Sequence, residues 1–236
     1  MEKNRFKFNI SQISEFSALI EFGEEISEDI NKRIRTFCEY IDKNPFEGFV
    51  EYIPYFTSVS INYNPLKIKG NSPFKFIKAI LEEILLNLDF SRGYEENIVE
   101  IPVCYGGAFG SDIEEVAKIN KLTVEEVIKI HSEGRYLVYM IGFAPGFPYL
   151  GGMSEKIAAP RRETPRLAIP EGSVGIAGMQ TGVYPIETPG GWQLIGKTPI
   201  KMFDFEGKPK SLLKSGDIAK FYPISYDEYM KLKEEN

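Results

Sequence analysis

Glycine and proline are concentrated in one part of this chain, residues 142–199. These 58 residues contain 11 of the 21 glycines and 8 of the 15 prolines. Glycine permits backbone conformations that other residues rarely adopt, and proline fixes φ and lacks the amide donor that a helix interior needs. The segment therefore cannot be helical, and it is longer than an ordinary loop. We expect either a linker between domains or a β structure with many short connections.

The composition narrows the class of protein. The 236 residues are enough for one large domain or two small ones. The formal net charge is −6, from 28 Lys and Arg against 34 Asp and Glu. This acidic balance argues against general binding to nucleic acid or to an anionic membrane. The 43% of hydrophobic and 26% of charged residues are typical of a globular protein.

Cysteine and histidine are scarce, because the chain has two cysteines and one histidine. These numbers argue against a disulfide framework and against an ordinary zinc site. No run of 18 apolar residues predicts a membrane span, and residues 1–10 lack the apolar core of a signal peptide. We expect a soluble, cytoplasmic protein with reduced thiols.

The first hundred residues alternate between predicted strands and helices. Ser27 is placed to cap a helix that runs to about residue 43, and Ser72 followed by Pro73 predicts the start of a second helix. The predicted strands are 17–22, 49–52, 58–63 and 98–103. The order β-α-β-β-α-β is that of a ferredoxin-like unit, so residues 1–97 are assigned to an N-terminal α+β domain.

The second part, residues 98–236, is expected to be a separate β domain. Two short helices are predicted by capping boxes, one at Ser111 with Glu114 and one at Thr123 with Glu126. From residue 135 onward, short apolar segments are separated by Gly and Pro, which favours a barrel or a sandwich. The last residues, YDEYMKLKEE, predict a short terminal helix.

Three side chains are candidates for nucleophilic or acid–base chemistry. Cys38 lies on the apolar face of the first helix, and Cys104 ends a strand, so both are interpreted as buried structural residues. His131 is the only side chain whose ordinary pKa lies near neutrality, and it is placed near a helix C-terminus. A packed structural histidine and a functional one both remain open.

Residues 191–198 match the phosphate-loop pattern GxxxxGK[ST]. In a true phosphate loop a strand precedes the first glycine and a helix begins near the lysine. Here the interior WQLI predicts a strand, and bulky side chains stand where backbone amides would surround a phosphate. We therefore reject a phosphate loop at this position.

Positive charge is concentrated between residues 156 and 201. Six basic residues stand there against three acidic ones, a local excess of +3: Lys156, Arg161, Arg162, Arg166, Lys197 and Lys201 against Glu163, Glu171 and Glu187. Arginine suits planar contact with a carboxylate or phosphate. The alternative is a solvated surface loop. A binding site here would take a small acid or a nucleotide phosphate.

Three glycine motifs, at 142–152, 178–185 and 188–192, allow two interpretations. They are either sharp corners of a barrel or parts of a ligand site. The second interpretation is favoured by side chains that supply hydrogen bonds and a stacking face: Gln180, Thr181, Tyr184 and Trp192.

Four long motifs within residues 98–205 together resemble one known family. They read IPVCYGGAFGSDIEEVAK, VYMIGFAPGFPYLGG, IAAPRRETPR and IPEGSVGIAGMQTGVYPIETPGGWQLIGKTP. The resemblance is to the allophanate hydrolase subunit 1 family, and within it to the KipI-like (PxpB-like) proteins, which are the B subunits of prokaryotic 5-oxoprolinases. It implies a small N-terminal α+β domain followed by a C-terminal cyclophilin-like β-barrel.

The same resemblance implies an activity and partners. With a subunit-2 (KipA/PxpC-like) protein and a LamB/YcsF (PxpA-like) protein, the complex would use ATP, with Mg²⁺, to open 5-oxo-L-proline to L-glutamate. The chain alone would be inactive. The alternative is a KipI-like regulator that binds and inhibits a sensor histidine kinase. The likeness to cyclophilin does not by itself imply prolyl isomerisation.

The chemistry of ring opening suggests roles for the motif residues. A lactam is a poor electrophile, so the use of ATP suggests that phosphorylation activates the amide oxygen before water attacks. Such a site needs cations, oxyanion donors and a base. We expect catalytic roles for His131, Gln180 and Thr181. We expect substrate or anion binding by Arg161, Arg162, Arg166, Phe143, Pro145, Gly146, Tyr184, Gly190, Gly191 and Trp192, and no metal ligand.

Overall fold

Residues 6–68, 70, 72–91, 96–206 and 210–235 are described by the computed structural model. The chain divides into two compact units, residues 1–95 and residues 96–236. Each unit has a hydrophobic core of its own. Among the described residues, no helix is both long enough and apolar enough to span a bilayer.

The first unit is a four-stranded antiparallel sheet with two helices. Its strands are β1 (Asn9–Ser14), β2 (Ser17–Glu21), β3 (Phe49–Pro54) and β4 (Ser58–Tyr63), in the spatial order β1-β2-β4-β3. Helix α1 (Glu28–Lys43) follows β2, and helix α2 (Pro73–Asn87) follows β4 after a short 3-10 turn at Pro65–Lys67.

Helix α1 begins where the sequence predicts it. The Ser27 hydroxyl accepts a hydrogen bond from the amide of Ile30 at 3.2 Å, which satisfies one of the free amides of the first turn. Ile34, Phe37 and Ile41 recur at helical spacing and are fully buried in the core that the helix shares with the sheet. Burial of each such side chain stabilises the unit by about 1.5–3 kcal/mol.

The β-α-β-β-α-β order predicted for the N-terminal part is wrong in its last strand. Residues expected to complete this sheet instead form β5 (Ile98–Tyr105) of the second unit, where they pair in parallel with β15 (Ile218–Pro223). The edge beside β2 is occupied by β1, which forms a hairpin with it. A hairpin closes at a low entropic cost because its two strands are adjacent in sequence. The ferredoxin-like description is therefore not confirmed.

The second unit contains the larger sheet. Besides β5 and β15, its strands are β6 (Tyr136–Ile141), β7 (Pro148–Gly151), β9 (Ser173–Ala177), β10 (Gln180–Val183) and β12 (Gln193–Lys197). Their order is β10-β9-β12-β5-β15-β6-β7. The edge strands β7 and β10 lie against each other, so the sheet nearly closes into a barrel. The chain is thus a mixed α/β protein with a barrel-like sheet, and the specific likeness to cyclophilin stays a prediction.

Smaller elements surround this sheet. Two short ribbons pair β8 (Arg166–Ile169) with β11 (Thr188–Gly190) and β13 (Phe203–Asp204) with β14 (Lys210–Ser211). Helix α3 (Ile113–Asn120) packs on β12, α4 (Val124–Ser132) packs on β15, and the terminal helix α5 (Tyr226–Glu235) packs on β5.

The segment rich in glycine and proline is β structure and not a linker. It contains β7 to β12, joined by short connections and a 3-10 turn at Glu155–Ile157. The hairpin between β9 and β10 turns through Gly178 and Met179 only, and Gly178 has φ +58°. A glycine with positive φ at the first turn position is typical of a type II′ hairpin.

The phosphate-loop pattern at 191–198 lies in a different structural context from a phosphate loop. Strand β12 occupies Gln193–Lys197, and no described helix begins near Lys197. The rejection based on the sequence is therefore confirmed.

Candidate functional site

Asp112 lies at the N-terminus of α3 with only 5% of its surface exposed. Its Oδ2 accepts a hydrogen bond from the amide of Leu194 at 2.7 Å. Its Oδ1 lies 2.9 Å from Arg162 Nη1 and 2.7 Å from Arg166 Nη2. A carboxylate withdrawn from water needs charged hydrogen-bonding partners of this kind. Asp112 therefore joins α3, β12 and the arginine-bearing segment into one cluster.

The start of α3 differs from the prediction. Ser111 and Glu114 do not form a capping box, because the helix begins at Ile113 and its N-cap makes no side-chain hydrogen bond. The Ser111 hydroxyl instead accepts a hydrogen bond from Arg166 at 3.0 Å. The second predicted capping box, at the start of α4, is confirmed.

The three arginines predicted to bind anions differ in their engagement. Arg162 and Arg166 share the carboxylate of Asp112, and Arg166 Nη1 also lies 3.5 Å from the Trp192 carbonyl oxygen. Two guanidinium charges against one carboxylate leave a net charge of +1. Arg161 is exposed, and the described residues offer it no ion pair. Arg161 is therefore the most available cation of the cluster.

Tyr184 is 3% exposed and lies beside these arginines. Burial raises the pKa of its hydroxyl to about 12, although the charges of Arg161 and Arg166 and a backbone hydrogen bond from Trp192 act in the opposite direction. The hydroxyl stays protonated at neutral pH. A Cβ at Gly190 would lie 2.7 Å from Tyr184 Oη, so a larger residue there would force the Tyr184 side chain to shift.

Aromatic rings line one side of the cluster. Phe147 stands edge-to-face against Trp192 at 5.9 Å and against Tyr184 at 5.9 Å, and Tyr184 stands edge-to-face against Trp192 at 6.1 Å. These rings belong to a small hydrophobic cluster that is distinct from the main core of the barrel. Trp192 is half-buried, so part of this residue is open to solvent beside the arginines.

Phe143 extends this aromatic group to the surface. It is 70% exposed, its φ is +69°, and its ring lies 5.4 Å from that of Phe147. The amide of Ala144 donates to the Gly142 carbonyl at 2.8 Å, which closes a γ-turn of the rare, strained form with positive φ. An exposed aromatic residue held in a strained turn is typical of a functional surface.

Gly146 completes the same turn. Its φ is +80°, and a Cβ there would lie 2.7 Å from Phe203 Cβ and 2.9 Å from the Met202 carbonyl oxygen. Gly146 therefore allows the 142–147 turn to pack closely against Met202 and Phe203.

His131 is fully buried and bonded through both ring nitrogens. Nδ1 lies 2.7 Å from Tyr105 Oη, and Nε2 lies 2.8 Å from Thr181 Oγ1. The Thr181 hydroxyl donates its hydrogen bond to the Gly175 carbonyl at 3.0 Å, so its oxygen accepts the hydrogen bond from Nε2–H of His131. Nδ1 then carries no proton and accepts a hydrogen bond from the Tyr105 hydroxyl. This is the one tautomer that satisfies all three hydrogen bonds.

Burial lowers the pKa of His131 to about 3, so the imidazole is neutral at physiological pH. Thr181 is 1% exposed. Neither side chain reaches a surface where a substrate would lie, because both are enclosed and their polar atoms are paired. The structure gives them a role in joining α4, β5, β9 and β10, and the catalytic role predicted for them stays a prediction.

The structure brings most of the predicted anion-binding residues together and leaves others apart. The residues that meet around Asp112 are Arg161, Arg162, Arg166, Tyr184, Gly190, Gly191 and Trp192. Gly191 takes part through its backbone, since its carbonyl accepts from the Arg162 amide at 2.7 Å. Gln180 is half-buried at the start of β10, and Pro145 is exposed on the turn that carries Phe143.

Two contributors to the site are not predicted from the sequence: Asp112 and Phe147. Asp112 lies inside a stretch that matches a capping box. A buried acid beside two arginines follows from contacts across about 50 residues of chain, which no local pattern shows. The signal available for Phe147 was its position in the dense aromatic motif at 142–152.

Both cysteines have the structural role expected from the sequence. Cys38 and Cys104 are buried free thiols, and burial raises the pKa of each. A thiol whose pKa is raised is a poor nucleophile at neutral pH. Within the part of the chain that the structure describes, no group of three or more His, Cys, Asp or Glu side chains is arranged to hold a metal ion.

Comparison with known proteins gives a consistent result. Residues 8–213 match the family described as carboxyltransferase domain, subdomain C and D. The chain is 53% identical over 238 residues to a protein of Bacillus subtilis, the B subunit of 5-oxoprolinase, and the alignment covers 98% of both proteins.

Solved structures share the fold. The crystal structure of TTHA0988 superposes with a TM-score of 0.77 at 32% identity and covers 89% of this chain. This chain spans only 40% of the length of that one. The conserved uncharacterized protein PH0987 from Pyrococcus horikoshii is 45% identical, with a TM-score of 0.55 and coverage of 94% of this chain and 100% of its own.

Proposed function

The chain belongs to the family of the carboxyltransferase domain, subdomain C and D, and from this relationship we propose that it is the B subunit of an ATP-dependent 5-oxoprolinase, which opens 5-oxo-L-proline to L-glutamate. The observation that carries the proposal is the 53% identity, across 98% of both chains, with the Bacillus subtilis protein of that name. The alignment spans both units.

The cluster around Asp112 suits this substrate. 5-Oxo-L-proline has a carboxylate and a flat lactam ring. Arg161 is exposed and offers a planar pair of donors to a carboxylate, while Asp112 holds Arg162 and Arg166 in place behind it. The half-buried ring of Trp192 offers an apolar face to the lactam ring.

ATP, with Mg²⁺, is assigned to the complex as a whole, and the nucleotide is placed at a subunit interface or on a partner. The GxxxxGK[ST] stretch of this chain forms a strand and not a phosphate loop. The proposed partners are a subunit-2 (KipA/PxpC-like) protein and a LamB/YcsF (PxpA-like) protein. The chain alone is then inactive.

The test is reconstitution of the three subunits and measurement of glutamate release from 5-oxo-L-proline. Release that requires ATP and all three subunits supports the proposal. Arg161→Ala is expected to lower the rate, whereas Lys156→Ala, which removes an exposed charge outside the cluster, is the matched control. An intact complex that releases no glutamate with ATP present contradicts the proposal.

Binding to a sensor histidine kinase is the alternative function. No contact among the described residues favours it over the enzyme. It is tested by kinase autophosphorylation, since a regulator lowers the rate at saturating concentration and an enzyme subunit leaves it unchanged. Both functions require a cytoplasmic chain, the location expected from the sequence.

A further inference from the structure

Two glycines stand opposite each other in the β9–β10 hairpin. Gly175 of β9 is the register partner of Gly182 of β10, and both are buried. Neither has a positive φ, so the backbone conformation does not require glycine at these positions. A glycine inside a strand weakens the strand and often marks a place where another group approaches closely. The pair is therefore expected to have a packing role.

The two glycines lie on the outer face of the barrel-like sheet. Their strand neighbours Val174, Ile176 and Val183 belong to the main core of the barrel. Since successive residues of a strand point to opposite faces, Gly175 and Gly182 face away from that core. On this side the two strands form a flat floor without side chains.

Trp192 lies on this floor. A Cβ at Gly175 would come 3.1 Å from Trp192 Cβ, and a Cβ at Gly182 would come 3.2 Å from Trp192 Cζ3. Both distances are shorter than ordinary van der Waals contact, so the side chain of Trp192 extends from one glycine to the other. It lies this close to the sheet because neither glycine has a side chain.

We propose that Gly175 and Gly182 are positioning residues of the candidate site, which set the depth at which the Trp192 side chain lies on the sheet. The Trp192 carbonyl oxygen lies 3.5 Å from Arg166 Nη1, so this residue is next to the arginine cluster. On the function proposed above, the part of Trp192 that is open to solvent contacts 5-oxo-L-proline, and the two glycines act on the substrate through it.

The neighbouring rings determine how Trp192 responds to an added methyl group. Phe147 and Tyr184 stand edge-to-face against it at 5.9 Å and 6.1 Å, so they resist a sideways movement. A Cβ at Gly182 would also lie 3.5 Å from Phe147 Cζ. We therefore expect the indole to move away from the sheet by a few tenths of an ångström, toward its open side.

Tryptophan fluorescence measures this movement directly, because Trp192 is the only tryptophan of the chain. Gly182→Ala in the full chain is expected to shift the emission maximum to longer wavelength and to increase quenching by acrylamide, since the indole becomes more exposed. The matched control is Gly142→Ala, which adds the same methyl group where the nearest atom, Tyr149 Cε2, is 3.6 Å away. Its emission is expected to equal that of the wild type.

Kinetics of the reconstituted complex test the effect on the substrate. Gly182→Ala is expected to raise KM for 5-oxo-L-proline about three- to tenfold and to change kcat less than about twofold, since a binding contact is displaced and no reacting group is touched. A double-mutant cycle with Trp192→Ala shows whether Trp192 carries the effect. In the Trp192→Ala background, Gly182→Ala is expected to leave KM unchanged.

Several results would overturn the inference. One is unchanged emission and quenching in Gly182→Ala, and another is a KM effect of the same size with and without Trp192. If Gly182→Ala alone does not fold, its stability in the Trp192→Ala background decides. A double variant as stable as Trp192→Ala supports the inference, whereas a less stable one shows that the strand itself requires the glycine. A wild-type complex that releases no glutamate refutes the proposed function, and the emission of the full chain still tests the placement of Trp192.

Discussion

The imidazole Nε2 of His131 and the hydroxyl of Thr181 form a buried hydrogen bond of 2.8 Å that joins helix α4 to strand β10. The Tyr105 hydroxyl is hydrogen-bonded to the other ring nitrogen, Nδ1, at 2.7 Å. The Thr181 hydroxyl donates a hydrogen bond to the Gly175 carbonyl of β9. His131 thus connects its helix directly to β5 and β10, and through Thr181 to β9. The imidazole is neutral because it is fully buried, and burial disfavours its charged form.

The burial of His131 makes the stability of the protein depend on pH. Its folded pKa is about 3, below the ordinary value of 6.5, so below pH 6.5 the unfolded chain takes up a proton that the folded chain does not. The stability from this group is fully present above about pH 6.5. It falls by about 1.4 kcal/mol for each pH unit between there and about pH 3. Urea unfolding of the wild type at several pH values measures the slope.

The matched variant for this test is His131→Gln, which does not titrate. It is expected to be less stable than the wild type at pH 7, because the paired Tyr105 and Thr181 hydroxyls are disturbed. The difference between the two proteins is expected to shrink as the pH falls. A difference that stays constant from pH 7 to pH 4 contradicts a neutral buried imidazole.

Asp112 is expected to contribute more to folding stability than its neighbours in the candidate site. Asp112→Ala leaves Arg162 and Arg166 without their carboxylate and the Leu194 amide without its acceptor. Because the two arginines are partly exposed, the free energy of unfolding is expected to fall by about 2–3 kcal/mol, which is less than when one partner of a fully buried ion pair is removed. Glu114→Ala, at an exposed position in the first turn of α3, is the control and should change stability by less than about 0.5 kcal/mol. Equal small effects would show that the carboxylate is dispensable.

Substitutions at Arg161 and at Arg166 are expected to differ in their effects on substrate binding and on folding stability. Arg161→Ala should lower kcat/KM of the reconstituted complex at least about tenfold, since a charged hydrogen bond to the substrate carboxylate is lost, while the melting temperature stays nearly unchanged. Arg166→Ala should lower both kcat/KM and the melting temperature, because it also removes a partner of Asp112. Calorimetric melting and steady-state kinetics are measured on the same preparations. A large drop in melting temperature for Arg161→Ala would make that residue structural.

Phe143 is expected to contribute to activity through contacts of its exposed ring and not to folding stability. Its positive φ costs on the order of 1 kcal/mol in a residue other than glycine. Phe143→Gly should therefore leave the free energy of unfolding unchanged or slightly higher, while the activity of the complex falls because the exposed ring is lost. Phe205→Gly, at another exposed aromatic position, is the control. Unchanged activity in Phe143→Gly would remove this residue from the site.

Local patterns predicted the local features of the molecule. The Ser27 cap and the spacing of apolar residues placed α1, and the glycine and proline content of 142–199 indicated short β connections. The local excess of positive charge indicated where the arginines meet. Each of these features depends on residues that are near one another in the sequence, so the sequence alone predicts them.

Contacts between distant segments decided the rest. Residues 98–105 have the same local preference for a strand in either unit, and only pairing with β12 and β15, both far later in the chain, places them in the barrel. The burial of Asp112 and of His131 likewise depends on which strands and loops cover them. The sequence by itself determined the helices, the β-rich second half and the position of the charge. The tertiary structure decided which polar side chains lost contact with water, and this loss determines whether a residue binds a ligand or holds the fold together.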